Sequence, residues 1–272
     1  MNGCIKTDKP LISIVMAVYE PRIDWLTEQL LSLNAQTYPN LELNILDDCS
    51  PTVSFEEIRA CVERCITAFP YTLARNEKNL GSNLTFERLT LSAQGQYISY
   101  CDQDDVWLPE KLSALQERIQ ETEALLICSD MYIINGSGEK TADSLTKVRR
   151  HHVFFSGKGL APQLVFHNWV TGCTMLVNRE AAQGAVPFCP YMVHDQYLAL
   201  YCASRGPIEC LKEPLICYRI HGNNQTGVMT GVNSRENYLE LRIREVQRKL
   251  EWLLAHFPEP DDALRHCFKA GL

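Results

Sequence analysis

The sequence predicts an α/β protein with a Rossmann-like three-layer αβα sheet, because strand-like and helix-like patterns alternate from the start of the chain. Residues 11–18 form a nearly continuous apolar, β-branched run, typical of a strand buried on both faces of a parallel sheet. Residues 23–33 carry apolar side chains at helical spacing, and 41–46 form a second strand-like run. Strand, helix and strand in this order predict a βαβ unit with a right-handed crossover.

The same alternation continues along the chain. Ser54 and Glu57 form a capping box that opens a helix, on which Cys61 and Cys65 share one apolar face. Further strands are predicted at 71–74, 97–101, 125–128, 173–177 and 215–219, and further helices at 82–93, 109–119 and 195–204. Ligands of such sheets bind beyond the carboxyl ends of the strands, so we expect the functional residues at that edge.

Composition limits the classes of protein that the chain can belong to. Its 272 residues, 46% hydrophobic and 22% charged, can bury the core of one large or two small domains. The formal net charge of -7 argues against a general nucleic-acid binder. The first ten residues are polar, and no later stretch has the length of apolar sequence needed to span a membrane, so we expect a cytoplasmic protein. The 12 scattered cysteines indicate reduced, mostly buried thiols.

Two further segments have distinct patterns. Periodicity is lost at 135–160, where glycines interrupt a polar, partly basic stretch, which we interpret as a mobile loop beside the site. Residues 239–257 have apolar side chains at three- and four-residue steps, which predicts an amphipathic helix. Packing on the parent domain is the first interpretation of this helix; self-association and contact with a membrane surface are the alternatives.

An acidic cluster follows the strand predicted at 97–101. Asp102, Asp104 and Asp105 place three carboxylates within four residues, and their mutual repulsion is costly unless a cation lies among them. A hard divalent metal, Mg²⁺ or Mn²⁺, would explain the cluster. A solvated acidic turn or helix cap is the alternative, since Asp is favoured in both.

Other polar residues lie at the ends of predicted elements. Asp47 and Asp48 follow the second strand, where a carboxylate can accept hydrogen bonds from a base or a ribose, although a turn explains them equally well. Asp195 lies at a predicted helix start, as an N-cap or as a base for a hydroxyl group. Arg219 and His221 end the last strand and suit diphosphate contact and metal ligation, although such a histidine can also be structural.

Six motifs occur in order along the chain: SIVMAVYE at 13–20, DDCS at 47–50, NLGSN at 79–83, DQDDVW at 102–107, HD at 194–195 and YRIHGNN at 218–224. On these motifs the chain up to about residue 227 resembles the large inverting glycosyltransferase family 2, whose GT-A fold merges a nucleotide-binding α/β sheet with an acceptor-binding half. The last three motifs resemble the branch with many rhamnosyltransferases and O-antigen or capsule enzymes.

The resemblance implies roles for individual residues. Asp195 corresponds to the catalytic base, and Asp104 and His221 to the ligands of a Mg²⁺ or Mn²⁺ ion. His194 stands where the family commonly has Glu, which leaves its role open. The residues expected around the nucleotide sugar are Ala17, Tyr19, Asp47, Asp48, Asn79, Asp102, Gln103 and Arg219, and those expected around the acceptor are Trp107, Gly172 and His194.

The function implied is inverting transfer of a sugar from dTDP-rhamnose or a UDP-hexose to a hydroxyl of a saccharide, either free or lipid-linked, in surface polysaccharide biosynthesis. The expected organisation is a GT-A domain at 1–228, with a nucleotide-binding half at about 10–130 and an acceptor half at about 160–228, followed by a helical extension at 229–272. That extension could contact the inner membrane face or a second copy of the chain. Two alternatives are a sugar-phosphate nucleotidyltransferase and a non-catalytic nucleotide-sugar-binding module.

Overall fold

A computed structural model describes residues 9–222 and 234–272. Within these residues, nine strands form one sheet: β1 Ile12–Val18, β2 Leu41–Asp47, β3 Tyr71–Arg75, β4 Tyr97–Cys101, β5 Val106–Trp107, β6 Leu126–Ile134, β7 Lys140–Ala142, β8 Leu176–Asn178 and β9 Ile208–Arg219. The α-helices are α1 Ile23–Asn34, α2 Phe55–Cys65, α3 Ser82–Ser92, α4 Lys111–Thr122, α5 Leu145–Val148, α6 Ala161–Leu164, α7 Arg179–Gly184, α8 His194–Arg205, α9 Arg235–Leu239, α10 Glu245–His256 and α11 Asp262–Ala270.

The strand order is β3-β2-β1-β4-β8-β6-β9-β5, with β7 paired to β6. The first four strands are parallel, as the sequence predicts. The expectation of a parallel sheet is wrong beyond β4, because β8 runs antiparallel to both β4 and β6. A strand buried on both faces has the same apolar pattern in either direction, so its sequence does not reveal its orientation.

The predicted βα elements of the first half are confirmed with small changes at their ends. Ser54 caps α2 by accepting a hydrogen bond from the Glu57 N–H at 3.1 Å. The strands predicted at 125–128 and 215–219 are much longer in the structure, as β6 and β9. The stretch predicted as a loop at 135–160 contains β7 and α5, and its Asn135–Glu139 turn returns the chain to pair with β6. An Asn-Gly pair is a hairpin signal that the loss of periodicity obscured.

Helices cover both faces of the sheet, which gives the three predicted layers. On one face α1, α2 and α4 bury apolar residues such as Leu26, Ile58 and Leu112 in one cluster with residues of the sheet. On the other face α3, α8 and α10 bury a second cluster that includes Phe86 and Leu198. The cysteines of the described chain have free thiols, and most are buried within these layers.

The C-terminal helices belong to the second of these clusters. Leu250 and Leu253 of α10 and Phe268 of α11 are fully buried in the cluster that contains α8. Lys249 is also buried, and its Nζ donates to the carbonyl oxygen of Val165 at 2.7 Å. Packing on the parent domain therefore explains the apolar face of α10, while Leu239 at the end of α9 stays exposed.

In the described part of the chain, no helix combines the length and apolar character needed to cross a bilayer. The predicted domain boundary at 228/229 and the Asn223-Asn224 end of the last motif lie outside the described residues.

Leu253→Ala should lower the free energy of unfolding by about 2–5 kcal/mol, because it leaves a cavity in the core beneath α8. Leu239→Ala, the same change at an exposed site of the C-terminal region, should alter it by no more than about 0.5 kcal/mol. Urea unfolding of both variants measures the difference. Equal, small effects would mean that α10 is not part of the core.

Candidate active site

The main cavity lies beyond the carboxyl ends of β1, β2 and β4 and has a volume of about 760 Å³. This is the sheet edge where the sequence places the functional residues. Most of the predicted site residues line it: Ala17, Tyr19, Asp48, Asn79, Asp102, Gln103, Asp104, Gly172, His194, Asp195 and His221. Asp47, Trp107 and Arg219 are not in its wall.

Asp48 lies in the cavity wall but is tied to the protein's own backbone. Its Oδ1 accepts from the Leu80 N–H at 2.9 Å and its Oδ2 from the Gly81 N–H at 2.8 Å. Gly81 has φ +81°, a conformation that favours glycine, so the turn can direct both amides at the carboxylate. Asp48 thus shapes the loop that carries Asn79. Asp47 is fully buried and holds the Ser50 hydroxyl at 2.6 Å, so it stabilises the same edge from behind.

The acidic cluster is fixed to the first strand through Gln103. The Gln103 side-chain oxygen accepts from the Tyr19 N–H at 2.9 Å, and its amide nitrogen donates to the Tyr19 carbonyl at 3.0 Å. Both hydrogen-bonding groups of the Tyr19 backbone are used in this way. Gln103 therefore sets the distance between the end of β1 and the carboxylates on either side of it.

Arg219 holds the cluster from the side of β9. Its guanidinium is buried: Nε donates to the Asp104 carbonyl oxygen at 2.7 Å, and Nη2 forms an ion pair with Glu28 at 2.5 Å. The Arg219 backbone N–H donates to Asp105 Oδ1 at 2.9 Å. The structure thus gives Arg219 a positioning role behind the cavity instead of the predicted contact with the diphosphate.

Asp104 and His221 meet inside the cavity. Asp104 Oδ2 and His221 Nε2 are 2.6 Å apart, and both side chains are partly exposed. A carboxylate oxygen and an imidazole nitrogen are both ligands of Mn²⁺, and Asp104 also suits Mg²⁺. Their convergence fits the predicted metal pair, with the open side of the cavity free for a substrate.

A second group of potential ligands lies deeper, where Asp102, Asp105 and Cys173 come together within 4.8 Å. Burial raises the pKa of the Cys173 thiol and of the Asp105 carboxyl well above their ordinary values, so both favour their protonated forms. A protonated thiol is a poor ligand for a hard cation. Asp104 and His221 are therefore the better fit for a metal, and Asp105 supports them from below.

Lys111 is a functional candidate that the sequence analysis missed. It is completely buried, its Nζ donates to the Cys173 carbonyl at 2.7 Å and lies 3.0 Å from the centre of the Trp107 ring. Burial lowers the pKa of Lys111 to about 7. Trp107 is thus part of the support below the acidic cluster, not an acceptor contact. A lysine in an otherwise amphipathic helix carries no sequence signal of burial.

Asp195 lies across the cavity and accepts hydrogen bonds from three donors. Its Oδ1 accepts from the Asn168 side-chain amide at 3.0 Å, and its Oδ2 accepts from the Gly172 N–H at 3.0 Å. Burial raises the pKa of Asp195 to about 6, although these hydrogen bonds and the Gln196 N–H act in the opposite direction. A carboxylate with such a pKa is mostly ionised at neutral pH and can accept a proton.

His194 packs beneath Gly172. Its ring stacks on Phe86 with centroids 4.2 Å apart, and burial lowers its pKa to about 3, so the imidazole is neutral. A Cβ added at Gly172 would lie 2.7 Å from His194 Nε2. His194 therefore leaves room for glycine alone at the residue that positions Asp195.

Further residues of the cavity wall were not predicted. Arg22 brings a guanidinium to the wall and lies 4.0 Å above the ring of Trp25, which also lines the cavity. Both belong to the segment after the first motif, where no pattern distinguishes them from ordinary helix-start residues.

Comparison with known proteins identifies the family. Residues 13–183 match the model of glycosyl transferase family 2, which is more than half of the chain. The chain belongs to this family. The matched range includes the acidic cluster and ends before Asp195 and His221.

Proteins with similar sequences are named as sugar transferases. The dTDP-rhamnosyl transferase RfbG of Shigella flexneri is 24% identical over 253 residues, which cover 86% of this chain and 81% of RfbG. WcaA of Escherichia coli, named for colanic acid biosynthesis, is 33% identical over 131 residues. That match covers 47% of this chain and 45% of WcaA, less than half of either protein.

Solved structures confirm the GT-A fold. Staphylococcus aureus TarS 1–349 in complex with UDP-GlcNAc superposes with a TM-score of 0.66 at 17% identity, covering 94% of this chain and 69% of that one. The mannosyltransferase PcManGT of Pyrobaculum calidifontis, in complex with GDP-Man and Mn²⁺, gives 0.61 at 14% identity, covering 97% and 69%. The family and the fold make the chain a glycosyltransferase related to enzymes of polysaccharide biosynthesis.

Lys111→Met should lower the free energy of unfolding by about 1–3 kcal/mol, because it removes the buried donor of the Cys173 carbonyl and a positive charge near Asp102 and Asp105. Lys140→Met removes a lysine that is ion-paired with Asp143 at the surface and should cost less than about 1 kcal/mol. Urea unfolding compares the two. A larger loss for Lys140→Met would contradict the role given to Lys111.

Proposed function

We propose that this chain is an inverting glycosyltransferase that moves a sugar from a nucleoside-diphosphate sugar to a hydroxyl group of a saccharide acceptor. The observation that carries the proposal is the pair of carboxylate sites in one cavity: the acidic cluster with His221 on one side and Asp195 on the other. One site suits a diphosphate with its cation, and the other suits an acceptor hydroxyl. A non-catalytic binding module would have no need for the second.

The reaction proposed is a single in-line displacement. Asp195 removes the proton of the acceptor hydroxyl, the acceptor oxygen forms a bond to the anomeric carbon, and the bond from that carbon to the diphosphate breaks. The nucleoside diphosphate departs with the bonding electron pair from the opposite face, so the configuration inverts. The hydrogen bonds from Asn168 and Gly172 keep the Asp195 carboxylate oriented toward the cavity.

The leaving diphosphate needs positive charge. A divalent ion held by Asp104 and His221, Mn²⁺ or Mg²⁺, would supply electrostatic stabilisation of that group. Arg22 is exposed in the cavity wall, where it is paired with Asp24, and it is the guanidinium that we place against the diphosphate. Arg219 is buried behind the wall, where it contacts Asp104 and Glu28. Asp48, Asn79 and the backbone around Ala17 and Tyr19 lie where the nucleoside would bind.

The donor and acceptor proposed follow the relatives. RfbG is named as a dTDP-rhamnosyl transferase and TarS was solved with UDP-GlcNAc, so dTDP-rhamnose and UDP-hexoses are the donors to test. WcaA is named for colanic acid biosynthesis, which supports a saccharide acceptor. We propose that this acceptor, free or lipid-linked, lies at the cytoplasmic face of the membrane. We keep the division into a nucleotide half at about 10–130 and an acceptor half at about 160–228 as part of this proposal.

Asp195→Asn should lower kcat by about 10²- to 10⁴-fold, the usual contribution of a general base, while the affinity for UDP or dTDP stays unchanged.

Wild-type activity should fall about tenfold for each pH unit below the Asp195 pKa of about 6, because the protonated carboxyl cannot accept a proton. Rates of nucleoside diphosphate release between pH 4.5 and 8 measure both effects.

The control is Asp143→Asn, the same change at an exposed carboxylate that does not line the main cavity. This variant should keep the wild-type rate and pH profile. If Asp195→Asn retained the wild-type rate, Asp195 would not be the base.

Asp104→Asn should weaken Mn²⁺ binding in the presence of UDP by at least about tenfold, since even residues outside the ligand shell have effects of that size. Electron paramagnetic resonance of free Mn²⁺ measures the affinity independently of turnover. Asp105→Asn should have a smaller effect, because Asp105 contacts the Arg219 backbone below the site. A larger loss of Mn²⁺ affinity for Asp105→Asn than for Asp104→Asn would indicate that the metal binds at the deeper group of Asp102, Asp105 and Cys173.

A further inference from the structure

A second cavity lies beside the catalytic base. It has a volume of about 350 Å³, and its wall includes His151, His152, Phe155, Asn168 and Trp169. None of its lining residues lines the main cavity. A pocket of this size is within the range of small-molecule sites, about 300–1,000 Å³.

Asn168 connects this cavity to the reaction site. It lines the second cavity, and its side-chain amide donates to Asp195 Oδ1 at 3.0 Å. Because Asn168 contacts Asp195 and also lines the second cavity, that cavity is separated from Asp195 only by the Asn168 side chain. An acceptor whose hydroxyl group reaches Asp195 while the donor fills the main cavity needs further space near Asp195, which the second cavity offers.

The segment that forms the wall is anchored to both neighbouring helices. The Gln196 side chain of α8 donates to the Leu164 carbonyl at 2.9 Å, and Lys249 of α10 donates to the Val165 carbonyl at 2.7 Å. The wall therefore has a fixed position relative to Asp195, which begins the same helix as Gln196.

The chemistry of the wall identifies its occupant. Phe155 and Trp169 form an aromatic corner with ring centroids 5.0 Å apart at 64°, and Phe155 is 42% exposed. The same wall carries the exposed polar side chains of His151, Gln163 and His167. A purely apolar chain would cover the rings but offer these polar groups no hydrogen bond. A sugar ring offers C–H groups to the aromatic faces and hydroxyl groups to the polar side chains.

We propose that the second cavity is a saccharide subsite, which holds the sugar of the acceptor adjacent to the one that carries the reacting hydroxyl. The proposal rests on the proposed function, since it assigns the cavity to the acceptor of that reaction. It predicts that a disaccharide acceptor binds better than its terminal monosaccharide.

The four tryptophans allow the two sites to be tested separately. Trp25 lines the main cavity and Trp169 lines the second, while Trp107 is buried below the acidic cluster and Trp252 lies on α10. The indole N–H signals of ¹⁵N-labelled protein, assigned with Trp25→Phe and Trp169→Phe, report on each site. The probes are UDP, dTDP, a panel of methyl glycosides and disaccharides, and 1-hexanol.

The expected result is a saturable shift of the Trp169 signal by at least one saccharide and of the Trp25 signal by a nucleotide with Mn²⁺. Phe155→Ala should weaken the saccharide response by about 2- to 12-fold, the contribution of one aromatic contact. Phe166→Ala is the matched control: Phe166 is 48% exposed on the same segment but does not line the cavity, so the response should not change.

Three results would overturn the saccharide subsite: no saccharide shifts Trp169, the shift is unaffected by Phe155→Ala, or 1-hexanol shifts Trp169 and the saccharides do not. The last result would indicate a site for an apolar chain. Failure of every nucleotide to shift Trp25 would instead contradict the proposed function, so the two failures can be told apart.

Discussion

The repulsion among Asp102, Asp104 and Asp105 at the end of β4 is the constraint on which the rest of the site depends. Burial, and to a smaller extent the neighbouring carboxylates Asp104 and Asp195, raise the pKa of Asp102 to about 7, so its ionised form is costly at this position. The surrounding residues offset that cost in different ways. Gln103 fixes the turn to Tyr19, Arg219 holds the Asp104 carbonyl, and Lys111 lies buried below. This arrangement holds Asp104 beside His221, where we propose that a divalent cation binds.

The two sides of the cavity are built differently, and their chemistry differs accordingly. The acidic cluster is supported by buried cationic side chains, whereas Asp195 is held by neutral donors, the Asn168 amide and the Gly172 N–H. Neutral donors orient a carboxylate while burial keeps its pKa near 6, which suits a base. The neutral His194 ring completes this side by filling the space beneath Gly172. These differences support the proposal that one end of the cavity serves a cation with its diphosphate and that the other end serves proton transfer.

Periodicity in the sequence was sufficient to predict the first half of the fold. Strands β1 to β4 and helices α1 to α4 have strong apolar patterns, and the rule that ligands bind beyond strand ends brought Asp48, Asp102 and Asp104 to one edge. Asp195 and His221 were predicted as site residues from their motifs, because the local spacing of the sequence does not indicate that they reach this edge. The direction of β8 could not be predicted, because burial on both faces hides it.

Residue type alone did not distinguish side chains that line the cavity from side chains that are buried behind it. Arg219 and Trp107 have side chains typical of binding sites, yet both are buried behind the cavity and act on other protein groups. Lys111 was missed for the converse reason, since a lysine at a helix start normally faces solvent. The second cavity depends on how the 149–169 segment is held against α8 and α10, which are contacts between residues distant in sequence.

The most direct test of the account is product analysis with purified protein, Mn²⁺, a saccharide acceptor panel and the donors dTDP-rhamnose and UDP-hexoses. Nuclear magnetic resonance of the product reports the anomeric configuration of the new bond. The account predicts that one donor is consumed, that a nucleoside diphosphate is released in equal amount, and that the transferred sugar has the configuration opposite to that in the donor. Transfer with retained configuration, or no consumption of any donor while the protein binds nucleotide and Mn²⁺, would contradict it.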